Sequence, residues 1–209
     1  RQALTEKERA MSGMAGRSRQ TGRQLGLALL TLLAVAGMLL VAATARAQTF
    51  PALTGRVVDA ANIIPPDAEA RLVQKLAALE TQSQRQLVVA TLPSLQGYEI
   101  SDYGYQLGRS WGLGDKQRND GAILIVAPNE RKARIEVGYG LEPLLTDGLS
   151  ALIVQNSILP RFKAGDLPGG IEAGADLVIR QLTLPEEEAR KVAQQAQPQR
   201  QPAPQFDFS

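Results

Sequence analysis

The chain has 209 residues, 44% of them hydrophobic and 21% charged, with neither cysteine nor histidine. This suits one domain with its own core. The two absences exclude disulfides, thiolate nucleophiles, Cys/His zinc sites, Ser-His-Asp triads and histidine phosphoryl carriers. Catalysis or ion binding falls to carboxylates, hydroxyls, amides, Lys, Arg or the backbone. The net charge is +2, but residues 1–47 hold seven Lys/Arg and two Glu, which leaves 48–209 with 16 basic and 19 acidic residues, a net of −3. The folded part therefore has no basic footprint for a nucleic acid, and none is expected as a partner.

The N-terminal segment reads as an export signal. The chain starts at Arg1, and Met11 or Met14 is a natural initiation point. Arg17, Arg19 and Arg23 form a basic region, residues 25–43 are an uncharged Leu/Ala-rich run, and Ala45-Arg46-Ala47 supplies an A-x-A cleavage pattern ahead of Gln48. The run of 19 residues also approaches the roughly 20 of a membrane span. An uncleaved anchor helix is thus the alternative, and the only membrane attachment expected. Either way the rest is translocated, so the expected location is the periplasm or cell envelope. Three regions follow: 1–47 as leader, 48–184 as an α/β domain, and 185–209 as a polar helix with a disordered Gln/Pro-rich tail.

Within the exported part, Arg56-Val57-Val58-Asp59 is a short extended piece. Pro65-Pro66 opens a helix with Asp67 and Glu69 in its first turn and Leu72, Val73, Leu76 and Leu79 on one stripe. Leu87-Val88-Val89-Ala90 is an apolar run stopped by Pro93, a strand buried on both faces. Ser101 is placed to cap a second helix, carrying Leu107 and Trp111 and closed by Gly112 and Gly114. Residues 122–127 form the next buried strand. Pro128–Arg131 turns the chain, and 133–138 returns antiparallel. Thr146 or Asp147 caps a helix that Pro160 breaks late. Ile171, Ala175, Val178 and Leu182 mark the last core helix, and Thr183 with Glu186 fits a capping box for the terminal one. The pattern predicts a three-layer α/β/α sandwich over a small mixed sheet: a parallel pair, 86–92 and 121–127, joined by a right-handed crossover, plus an antiparallel hairpin strand.

The hairpin carries a geometric expectation. It sets Asn119-Asp120-Gly121 beside Gly138-Tyr139-Gly140, and the chain then runs through Thr146-Asp147 into a helix N-terminus. Asp120 and Asp147 would meet at one sheet edge, among glycines that permit close backbone approach. Such an oxygen-only site suits Ca²⁺ or Mg²⁺. Local roles compete with it. Asn119-Asp120-Gly121 is good turn chemistry, Asp147 a good N-cap, Asp59 a turn cap, Asp102 a helix-dipole partner and Glu136 a solvent-face residue. Gly138-x-Gly140 lacks the third glycine and the βαβ frame of a nucleotide fingerprint. Trp111 ends an apolar stripe and reads as core.

Together, Val57-Val58-Asp59, Trp111-Gly112-Leu113-Gly114, Asn119-Asp120-Gly121-Ala122, Ile135-Glu136-Val137-Gly138-Tyr139-Gly140-Leu141-Glu142 and Leu145-Thr146-Asp147 resemble the TPM-domain family (YgcG-like proteins) over about residues 55–182. The resemblance implies an α/β/α sandwich in secreted or membrane-attached proteins, with divalent-cation binding through acidic residues. It also implies weak acid phosphatase activity, as proposed for some plant thylakoid members, and service as auxiliary subunits of membrane assemblies. The acidic positions it points to are Asp59, Asp102, Asp120, Glu136 and Asp147. Many relatives continue into a transmembrane helix; here Gln194 onward is Gln/Pro-rich, so attachment through a C-terminal helix is not expected.

Two functions are therefore in view. One is a calcium- or magnesium-binding accessory module with an envelope or membrane-protein partner. The alternative is a metal-assisted phosphomonoesterase, with Asp120 and Asp147 as catalytic candidates and Arg109, Lys116 and Arg118 as anion partners. No D-x-D-x-T or C-x₅-R signature accompanies the second.

Overall fold

In the computed structural model, residues 48–196 are described. The leader with its 25–43 run, its cleavage pattern and the Gln/Pro-rich tail lie outside them. Four strands form one sheet in the order β1 (Val57–Asp59), β2 (Gln86–Thr91), β3 (Gly121–Ala127), β4 (Lys132–Val137). The first three are parallel, with Val57 beside Val89 and Val89 beside Leu124; β4 returns antiparallel, with Leu124 opposite Ile135. This is the expected mixed α/β architecture, with the short 57–59 piece added as a third parallel strand. Every residue of β3 is buried, as a central strand between two helical layers requires.

One face carries the larger core. Leu72, Leu76 and Leu79 of α1 (Pro66–Ser83) and Ile171, Ala175, Val178 and Leu182 of α5 (Leu167–Thr183) pack there on Leu87, Val89, Leu124 and Val126. Each fully buried leucine contributes about 2 kcal/mol. Val73, expected on the α1 stripe, is 37% exposed at its margin. The other face is covered by α2 (Ile100–Trp111), whose Tyr103 and Leu107 pack on Ala90, Ile123 and Ile125. Because β1, β2 and β3 follow one another in a single direction across the sheet while α1 and α2 lie on opposite faces, the two parallel crossovers have opposite hands. One of them departs from the right-handed rule.

Local signals fail in three places. The N-cap of α2 is Glu99 in an extended conformation, without a side-chain cap, so Ser101 lies inside the helix. Pro160 does not simply end a helix. After α3 (Asp147–Ile153) comes a π turn, Val154–Ile158, in which the Leu159 N–H reaches back to the Val154 carbonyl, and α4 (Leu159–Lys163) starts around the proline. The wider turn absorbs a residue that has no N–H to donate. Thr183 ends α5, donating to the Ile179 and Arg180 carbonyls at 2.9 and 3.0 Å, and α6 (Glu186–Gln195) begins after Pro185 with no side-chain cap. The terminal helix is polar in composition yet docked: Ala189 and Ala193 are fully buried, and Gln181 Nε2 donates to the Ala189 carbonyl at 2.8 Å.

Candidate functional site

The site forms where three backbone segments meet at one end of β3 and β4. As predicted, the hairpin pairs its open ends: the Gly138 N–H donates to the Gly121 carbonyl at 2.8 Å and the Gly140 N–H to the Asn119 carbonyl at 3.0 Å. A Cβ on Gly140 would overlap the Arg118 carbonyl oxygen, and one on Gly121 would lie 2.7 Å from the Leu113 carbonyl carbon. These glycines are there because backbone packs on backbone. Trp111 packs against the smaller core and its Nε1–H donates to the Pro51 carbonyl at 2.9 Å, a structural role.

Asp120 is 6% exposed and fully engaged. Its Oδ1 accepts the Asp115 N–H at 2.8 Å, and its Oδ2 accepts Arg118 Nε at 2.6 Å. Asp115 in turn accepts the Gln117 and Arg118 N–H groups at 2.9 and 3.0 Å. The Arg118 and Gln117 amides hold the Asp115 carboxyl below its ordinary value of 3.8, and the bond that Arg118 donates to Asp120 raises the guanidinium's pKa. Asp120 is thus the strut of the 115–120 loop.

Beside this junction lies a cleft of about 440 Å³. Tyr105 and Arg109 of α2 form one wall; Asn119, Glu136, Tyr139 and Glu142 lie around it. Arg109 donates to the Tyr105 hydroxyl at 2.9 Å and sits 5.6 Å over the same ring, and that hydrogen bond raises its pKa. Glu136 faces this cleft rather than open solvent, with Oε2 held by Arg134 Nε at 2.7 Å. Tyr139 stands 77% exposed at the rim. Sequence reasoning passed over Glu142, Tyr105 and Tyr139. The available signals were the Tyr105–Arg109 spacing on the solvent side of α2 and the position of Glu142, two residues after Gly140 and just beyond the junction.

The remaining acids sit elsewhere. Asp59 accepts the Ile63 and Ile64 N–H groups at 3.1 and 2.9 Å and the Thr91 hydroxyl, which clamps the loop after β1. Asp102 is exposed in the first turn of α2, where a carboxylate suits the helix dipole. Thr146, not Asp147, caps α3, accepting the Leu149 N–H at 3.3 Å. Asp147 lines a second groove, against Ala133–Ile135 of β4. Asp120 lines neither concavity. The turn after Gly140 buries Leu141, Leu144 and Leu145 in the larger core and carries Asp147 away from the glycine junction. Asp59, Asp102, Asp120, Glu136 and Asp147 therefore do not assemble as one ion centre. Among the described residues no group of three or more Asp/Glu is arranged to hold a metal.

The family model for the TPM domain matches residues 57–181. Among solved structures, the N-terminal domain of a protein from P. gingivalis is 32% identical, with a TM-score of 0.58 over 62% of this chain and 82% of that one. The N-terminal domain of a Corynebacterium glutamicum protein, 19% identical over 65% and 84% of the two chains (TM-score 0.50), shares the fold. So does the BA42 protein of the psychrophilic bacterium Bizionia argentinensis, 16% identical over 58% and 82% (TM-score 0.51). No curated protein matches the chain. The matched span runs from β1 into the last turn of α5 and takes in every motif of the glycine junction, so the chain belongs to the TPM-domain family.

Proposed function

We propose that this TPM domain is an exported accessory module of the cell envelope that binds a divalent cation, Ca²⁺ or Mg²⁺, and then presents the ordered Gly138–Glu142 segment to a protein partner. The observation that carries this reading is the pairing of Asn119 with Gly140, which sets Glu136, Glu142 and the Asn119 amide around one cleft. These are hard oxygen donors of the kind Ca²⁺ and Mg²⁺ take. Asp120 acts through the loop it braces, and Asp147 has no part in this donor set. The basic region, apolar run and A-x-A pattern support the envelope location; intact protein recovered from the envelope should begin at Gln48.

Calorimetric titration with Ca²⁺ and with Mg²⁺ tests the site. Glu136→Gln and Glu142→Gln should each weaken binding at least about tenfold, through loss of a charged ligand, and Asp147→Asn should leave it unchanged. Equal affinity in all variants sinks the proposal. The phosphomonoesterase alternative rests on the Arg109 guanidinium, which shares the cleft with two carboxylates. It requires phosphomonoester hydrolysis that disappears in Arg109→Ala; hydrolysis equal to wild type there removes it.

A further inference from the structure

A second site, independent of the cleft, lies along the open edge of the sheet. Among the described residues, strand β4 has β3 on one side and no strand on the other. In an antiparallel ladder, hydrogen-bonded and non-bonded pairs alternate. The Gly138–Gly121 bond sets the phase, so Glu136, Arg134 and Lys132 bond inward, opposite Ile123, Ile125 and Ala127. The N–H and C=O groups of Ala133 and Ile135 then point off the edge. Among the described residues, none supplies them a partner. They lie on the floor of a groove of about 300 Å³, with Ile100 of α2 on one side and Ser150 and Val154 on the other.

Ser150 is a second, independent sign. It is 4% exposed, yet its Oγ has no hydrogen-bond partner among the described residues. Leaving a buried hydroxyl unsatisfied is unfavourable, and buried polar groups are otherwise nearly always paired. The same wall contains the π turn, a distortion common at functional positions.

We infer that this groove takes an extended segment of a partner protein as a fifth strand beside β4, with an acidic residue toward Arg134 and apolar residues toward Val154. The unpaired edge groups of β4 are what an added strand uses. The helices select a bare strand over a second copy of the chain. α2 and the α3–π segment pack on opposite faces of β4, and a second copy would bring its own helices into the same space. Charge selects the acid. Arg134 has its Nε held by Glu136, which leaves its Nη groups without a partner among the described residues. Asp147 on the opposite rim disfavours a second acid there. Successive strand residues point to opposite faces, so an apolar–acidic–apolar alternation satisfies both walls.

The test is amide hydrogen exchange on the full chain with acetyl-Thr-Val-Asp-Val-Thr-amide as probe. The Ala133 and Ile135 amides should exchange fast in the free protein and slow at least about tenfold under saturating peptide, as formation of edge hydrogen bonds demands. The peptide with Lys in place of Asp should bind about tenfold more weakly. Ser150→Ala should raise the melting temperature of the free protein and weaken peptide binding, a pairing of signs that a merely structural serine would not give. Unchanged exchange with peptide overturns the proposal. So does slow exchange in the free chain, whether independent of concentration (the chain's own segment fills the groove) or only at high concentration (a second copy does). Ser150→Ala that binds as tightly as wild type also overturns it.

Discussion

The two faces of the sheet are covered unequally. On one, α1, α5 and the α3–α4 segment lay down a continuous layer over Leu87, Val89, Leu124 and Val126. On the other, α2 is the one helix among the described residues over Ala90, Ile123 and Ile125, joined by Phe50, Leu95 and Leu113 from loops. A single helix cannot cover four strands. Along the flank of α2, from Tyr105 to Gly112, part of this face is left uncovered, and the cleft around Glu136 and Glu142 lies there. The thick face supplies stability, while the thin face supplies an opening whose shape is set by backbone junctions. The cleft is thus a consequence of unequal layering as much as of the residues lining it.

Four measurements sharpen or break this contrast. The largest effect is expected from Leu124→Ala, which empties a fully buried position between sheet and helices on the thick face. Packing on both sides prevents collapse, so urea unfolding should show a loss of about 4 kcal/mol. Leu107→Ala removes an equally buried side chain from the thin face, where α2 can settle inward. It should cost about 2–3 kcal/mol, and equal losses in the two variants would break the comparison.

Gly140→Ala pushes a methyl group against the Arg118 carbonyl. Backbone cannot give way as a side chain does, so about 1–2 kcal/mol should be lost. The Gly140 amide, bonded to the Asn119 carbonyl, should show the change in its chemical shift. Unaltered stability and shift would mean that the junction does not require glycine.

The smallest effect concerns acid. The Arg118 and Gln117 amides hold the Asp115 carboxyl below 3.8 in the folded loop. Its folded pKa is therefore lower than its unfolded one. That contribution is complete above 3.8 and disappears as pH falls through the lower, folded value. Carboxyl chemical shifts should give Asp115 a midpoint below 3.8, with Gln117 and Arg118 amide exchange quickening over the same range. A midpoint at or above 3.8 would contradict the loop geometry.

Much of the scaffold was legible in residue order. The apolar runs 87–90 and 122–127 became central strands, Pro66 opened α1, and Thr146 capped α3. These signals are short-range, or follow from strands buried on both faces. The failures have a common cause. Ser101, Thr183 and Glu186 carried good local capping chemistry, but the helix boundaries were displaced by where the chain had to pack. The pairing of the hairpin ends was foreseeable from topology. Asp120 and Asp147 share no concavity: Leu141, Leu144 and Leu145 turn into the core between them, and Asp147 lines the other groove. Glu136 changed character for a related reason: strand alternation turns it to the α2 face, but whether that position is solvent or a cleft depends on how α2 lies across it.

Hydrophobic order along the chain was enough to indicate the helices, the parallel pair β2–β3 and the hairpin, though not the helix ends or the place of β1 in the sheet. It also set the two glycine motifs side by side, because antiparallel pairing leaves no other register once the turn is in place. Which carboxylates remain available for a ligand was decided only in three dimensions. Asp59 was claimed by Thr91 and the amides of Ile63 and Ile64, and Asp120 by Arg118 and the Asp115 amide. A buried carboxylate takes whatever donors the completed fold brings to it, and those donors depend on how the whole chain closes around the site.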